Sequence, residues 1–69
     1  MNTDNLKLSI DSESVDIYYE DENTIEPIHI AYWHLDEVEE DAEVAIAMVK
    51  AVDLFYRNPS ELLERLGIQ

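Results

Sequence analysis

Leu6, Leu8 and Ile10 alternate with Lys7 and Ser9. That period of two puts one set of side chains on each side of a strand, and it predicts a first strand at about residues 6–10. The run Asp11-Ser12-Glu13-Ser14 has a turn composition, and beyond it Val15, Ile17 and Tyr19 alternate with Asp16, Tyr18 and Glu20. A hairpin is the expected result. Glu20 to Pro27 is polar and ends on a residue without a backbone donor, so it reads as a loop, followed by a third strand from Ile28 to about His34. On that strand Ile28, Ile30 and Tyr32 face one side and His29, Ala31 and Trp33 the other. Both sides carry apolar bulk, so the strand is expected to be central or covered on both faces.

The period then changes. Asp36 and Glu39 have the spacing of a capping box, with Asp in the place of Ser or Thr, and predict a helix from about residue 37. From Ala42 to Tyr56 only Glu43, Lys50 and Asp53 interrupt an apolar run. Val38, Ala42, Ala45, Val49, Val52 and Tyr56 recur at helical spacing, while Ile46, Met48 and Phe55 widen the apolar surface around the cylinder. A helix this broadly apolar is normally buried on more than one side, and a small sheet covers one. A homodimer is expected on this ground, with Ile46, Met48, Val49, Val52 and Phe55 as its interface; the alternative is a monomer in which the last helix covers part of the long one. Asp53 and Arg57 have the spacing of an i,i+4 ion pair. Asn58, Pro59 and Glu61 then mark the start of a short last helix, with Leu62, Leu63 and Leu66 as its apolar edge and Gly67 as its stop. The expected fold class is α+β: one domain in which a three-stranded antiparallel sheet packs on one long helix plus a short C-terminal helix.

Composition sharpens this picture. Sixty-nine residues make a small core, which natural proteins often reinforce with disulfides, metals or self-association. The absence of cysteine removes disulfides and thiolate metal sites together. Seventeen Asp and Glu against four Lys and Arg give a net charge of −13. Such a field repels phosphate backbones and anionic membranes but attracts basic protein surfaces, so neither nucleic acid nor membrane is an expected partner. No apolar run reaches the roughly 20 residues of a membrane span. Met1 to Asn5 also lacks the basic-then-apolar plan of a signal peptide, which makes a cytoplasmic location the expectation.

The search for catalytic chemistry returns little. On a strand His29 and His34 point to opposite faces and cannot clamp one metal, and His34, Asp36 and Glu37 meet no zinc spacing rule. An EF-hand loop beginning at Asp11 needs a glycine where Asp16 stands. A single glycine in the chain excludes Gly-rich phosphate loops, and Ser9, Ser12, Ser14 and Ser60 lie in no nucleophile elbow. No enzymatic activity, cofactor or metal is expected.

What remains is charge in two regions. One is the loop with Glu20, Asp21, Glu22 and Glu26; the other is the helix start with Asp36, Glu37, Glu39, Glu40, Asp41 and Glu43. Tyr18, between acidic neighbours on its face of the strand, suits an Arg-rich surface, although ordinary cross-strand packing also accounts for it. The expected function is a non-enzymatic interaction module that presents these acids to a basic protein, as an inhibitor would when occupying a phosphate site. The alternative is a structural or adaptor homodimer whose acids serve solubility. The stretches Tyr32-Trp33-His34-Leu35-Asp36-Glu37 and Asp53-Leu54-Phe55-Tyr56-Arg57-Asn58-Pro59-Ser60-Glu61-Leu62-Leu63 resemble small proteins of bacteriophage or prophage origin. That resemblance implies blocking of host defence or DNA-handling enzymes, in the manner of DNA mimics and anti-CRISPR proteins, and carries over no site residue.

Overall fold

The computed structural model describes residues 3–65. Leu66 and the expected helix stop at Gly67 lie outside the described residues. After a 3-10 turn, Thr3–Asn5, strand β1 (Leu6–Ile10) pairs antiparallel with β2 (Ser14–Tyr19), from Leu6 opposite Tyr19 to Ile10 opposite Val15. Asp11 builds the turn between them. Its Oδ1 accepts the backbone N–H groups of Glu13 at 2.7 Å and Ser14 at 2.8 Å, which substitutes a side-chain acceptor for a backbone one.

β3 (Ile28–His34) pairs antiparallel with β2, so the sheet order is β1-β2-β3 and β2 is central. The expectation of a central or doubly covered β3 is therefore corrected: β3 is an edge strand, and Tyr32 on its outer side is exposed. The cause of its two-sided apolar pattern is a bulge. Ile17 pairs with Ala31 but Tyr18 pairs with His29, leaving Ile30 as the extra residue. A bulge of this kind lets consecutive side chains lean to one side, and Ile30 and Ala31 both pack against the core. Trp33, opposite Val15, joins them.

The helical region differs from the sequence expectation at its start. Helix α1 (Leu35–Glu40) begins at Leu35 with His34 as its cap, the His34 Nδ1 accepting the N–H of Asp36 at 3.3 Å. Asp36 thus sits inside the first turn instead of capping it. A second helix, α2 (Ala42–Arg57), follows after a break at Asp41, whose backbone is extended at φ −131°, ψ 110° and whose carboxylate accepts the Glu43 N–H at 2.9 Å. An unbroken helix would stack Glu37 on Asp41 and Glu39 on Glu43, like-charge i,i+4 pairs that destabilise it. Interrupting it at Asp41 converts one of those charges into an N-cap. Helix α3 (Pro59–Arg65) starts as the sequence suggests, with Asn58 Oδ1 accepting the Glu61 N–H at 3.3 Å.

The core lies between one face of the sheet and the helices. Ile17 is 0% exposed, and it forms one buried cluster with Leu6, Leu62 and Leu63. Val15 and Tyr19 are buried on the same face of β2. α3 therefore supplies the most deeply buried helical side chains, while α2 reaches the cluster through Ala51, Leu54 and Phe55, all half-buried. Ile10, at the far end of β1, is beyond this cover and exposed. Truncating Ile17 to Ala removes the most enclosed side chain and is expected to cost about 2–5 kcal/mol, most of the stability of a chain this size. Thermal denaturation followed by circular dichroism checks this; Ile25→Ala, at a fully exposed loop position, is expected to stay within about 0.5 kcal/mol.

Candidate functional site

Two surfaces merit consideration, one acidic and one apolar. The two acid-rich segments are not neighbours. The loop carrying Glu20, Asp21, Glu22 and Glu26 starts beside the head of β1, where the Glu20 N–H donates to the Asn5 carbonyl at 3.1 Å. α1 starts at the other end of the sheet, where the Leu35 N–H donates to the Glu13 carbonyl at 2.8 Å. β3 lies between them, a separation of about 20 Å. The two regions therefore do not share one face: the length of β3, paired with β2, holds them apart.

Within the loop, Asp21 is occupied by local structure. The Tyr19 hydroxyl donates to its Oδ2 at 2.8 Å, while its Oδ1 accepts the N–H of Asn23 at 2.8 Å and of Thr24 at 3.0 Å. The Tyr19 hydroxyl, with those backbone donors, holds the Asp21 carboxyl below the ordinary value of 3.8. Glu22 and Glu26 are exposed, as is Glu20. At the opposite end Asp36, Glu37, Glu39, Glu40 and Glu43 are exposed around the Asp41 cap. The β1–β2 turn adds Asp11 and Glu13 to that end. Asp11 is held below 3.8 by the N–H of Glu13 and then that of Ser14, with His34 close enough to contribute. Sequence reading missed this addition because strand pairing, not chain order, brings Glu13 to Leu35.

Tyr18 is half-buried on the outer face of the sheet, its ring 6.3 Å from that of His29. His29 Nδ1 lies 2.8 Å from Asp16 Oδ2, a contact between β3 and β2 that fixes the imidazole beside Tyr18. Thirteen residues of sequence separate the pair, and only the shifted register makes them neighbours. Both histidines are thus bonded to local groups, and among the described residues no three His, Asp or Glu side chains are grouped to hold a metal.

The apolar surface is the outer side of α2. This sixteen-residue helix contains no buried residue. Ile46 is 54% exposed, Val49 60% and Tyr56 71%. Ala42 is also exposed, and Ala45, Ile46, Val49 and Lys50 line a shallow depression. Of the expected interface residues, Ile46 and Val49 are open and Met48 and Val52 half-buried, whereas Phe55 is turned inward against the core. Phe55 is half a turn round from the open stripe and packs against the core cluster, while Tyr56, its ring 5.1 Å from that of Phe55, takes the outer place. Among the described residues no helix is long and apolar enough to cross a membrane.

No family model, curated protein or solved structure matches this chain.

The lowered carboxyl of Asp21 gives a pH prediction. A carboxylate whose folded pKa is depressed stabilises the fold above its unfolded value, and that contribution disappears as pH falls through the folded value. Wild type is expected to lose stability below about pH 3.8 more steeply than Asp21→Ala, which has already lost the contribution at neutral pH. Equal acid limbs in denaturation series at pH 2–5 would show that the turn carries no such linkage.

Proposed function

We propose that this chain is a non-enzymatic protein–protein interaction module that works through the exposed apolar stripe of α2. One observation carries the reading: sixteen mostly apolar helical residues, none of them buried. Contiguous apolar surface of this kind on a small soluble domain marks a contact site or an aggregation hazard, and a partner that covers it gains the hydrophobic term that the sheet leaves unused. The acids of α1 lie at the head of the same surface, where they favour partners with a basic rim, and they govern the rate of encounter more than the strength of the complex.

A second reading follows from the exposure of Asp36, Glu37, Glu39, Glu40 and Glu43 beside the β1–β2 turn. Here the acidic end is itself the contact, offered in the cytoplasm to a nucleic-acid-binding or defence protein in the place of phosphates, as a phage-type inhibitor would do. Division of the acids between the two ends of the sheet weakens that reading relative to the first.

Ile46→Asp and the triple reversal Glu39→Lys, Glu40→Lys, Glu43→Lys separate them. Proteins retained on immobilised wild type are expected to be lost with Ile46→Asp and kept, with slower capture, by the triple variant. Loss with the triple variant and retention with Ile46→Asp would favour the acidic end instead.

A further inference from the structure

α2 carries a charge arrangement that selects an occupant for its open stripe. Glu43, Lys50 and Arg57 recur every seventh residue and so form one row along the helix. All three are exposed, and they border the stripe made by Ala42, Ala45, Ile46, Val49 and Tyr56 on one side, within which Asp53 is the one acid and is paired with Arg57. The other border, through Met48 and Phe55, is half-buried, and Phe55 packs against the protein's own core cluster. The row is polarised: an acid at the helix N-terminus and a base at its C-terminus, in a chain whose net charge is −13.

Resting on the reading of α2 as the contact surface, we infer that its occupant is a second copy of this chain, with the two α2 helices packed antiparallel about a twofold axis near Val49. In an antiparallel pair the same border of each helix meets its equivalent, so Glu43 of each copy comes opposite Arg57 of the other. The charge complementarity occurs twice, and the opposed helix dipoles add to it. Arg57 already bonds Asp53 at 2.9 Å, so its guanidinium is held along the helix and shared between the two carboxylates. Lys50 approaches its own copy near the axis, where its long side chain reaches solvent. A parallel pair would instead set the Glu43–Lys50–Arg57 row against the half-buried Met48 and Phe55 border of the other copy, where no charge answers it. An acidic partner would meet Glu43, and a basic one Lys50 and Arg57; an inverted copy of the same row complements both ends.

The cysteine-free chain makes the geometry testable by single introduced cysteines. Sedimentation equilibrium of wild type is expected to give twice the chain mass of 8.0 kDa, and Val49→Asp the single mass with unchanged circular dichroism. Under oxidation Val49→Cys is expected to cross-link to itself. Ala42→Cys is not, because the two copies of residue 42 would lie about 20 Å apart, beyond disulfide reach; a mixture of Ala42→Cys and Tyr56→Cys chains is expected to cross-link. Arg57→Glu is expected to weaken association at least tenfold, and adding Glu43→Arg to restore it. Self-linking of Ala42→Cys, or a single mass for wild type up to millimolar concentration, overturns the antiparallel pair. In the latter case the neutral dye Nile red distinguishes the failures: bright emission with wild type that is lost in Val49→Asp leaves α2 an open contact surface with another occupant, and no emission removes both claims.

Discussion

The fold depends on the closure of one sheet face by Leu62 and Leu63. Leu6 and Ile17 present an apolar surface on the inner side of β1 and β2, and the two leucines of α3 complete the enclosure in which Ile17 loses all contact with water. Each buried leucine contributes on the order of 1.5–3 kcal/mol, a large share of what so short a chain has available. The short helix therefore supplies the deepest helical burial, and the long one packs beside it through Ala51, Leu54 and Phe55. Asn58 and Pro59 position it, the first as a cap and the second at a helical position whose missing N–H costs nothing.

That closure determines what is left open. With α3 over the centre of the sheet, α2 touches the core along Ala51, Leu54 and Phe55 and turns Ile46, Val49 and Tyr56 outward. The break at Asp41 keeps the acidic helix start separate, so most of the acids gather at the head of α2, and the stripe itself carries Asp53, which is paired with Arg57 at 2.9 Å. An apolar band with an acid at one end and a base at the other is suited to a partner of opposite polarity.

Much of this architecture was legible from residue periodicity. Alternation at Leu6 to Ile10 and at Val15 to Tyr19 located the hairpin, and Val15, Ile17 and Tyr19 were correctly expected to share a face, because strand periodicity is independent of what lies beyond the strand. The position of β3 was not legible. Its bulge at Ile30 breaks the period of two, and a strand with apolar residues on both sides then imitates a central one. The start of α1 was displaced because His34 caps through a ring nitrogen, a less common donor–acceptor arrangement than the Asp36 signal that competed with it. On the surfaces, breadth of apolar residues around α2 was readable, yet which of them faced the core was not: Phe55 and Tyr56 are adjacent in sequence and differ only by which one α3 and the sheet enclose. The pairing of Asp16 with His29 and the joining of Glu13 to the α1 end depend on register and on long-range strand contacts, which local spacing does not encode.

The central claim is that α3 closes the core and leaves α2 free to be covered by another chain. Relaxation of methyl protons by a soluble gadolinium chelate reports the accessibility of these side chains one by one, across a dilution series. The account predicts that Leu62 and Leu63 stay shielded like Ile17 at every concentration, while Ile46 and Val49 pass from shielded to as open as Ile25 on dilution. Leucines that relax like Ile25, or Ile46 and Val49 methyls shielded even at the lowest concentration, would contradict it.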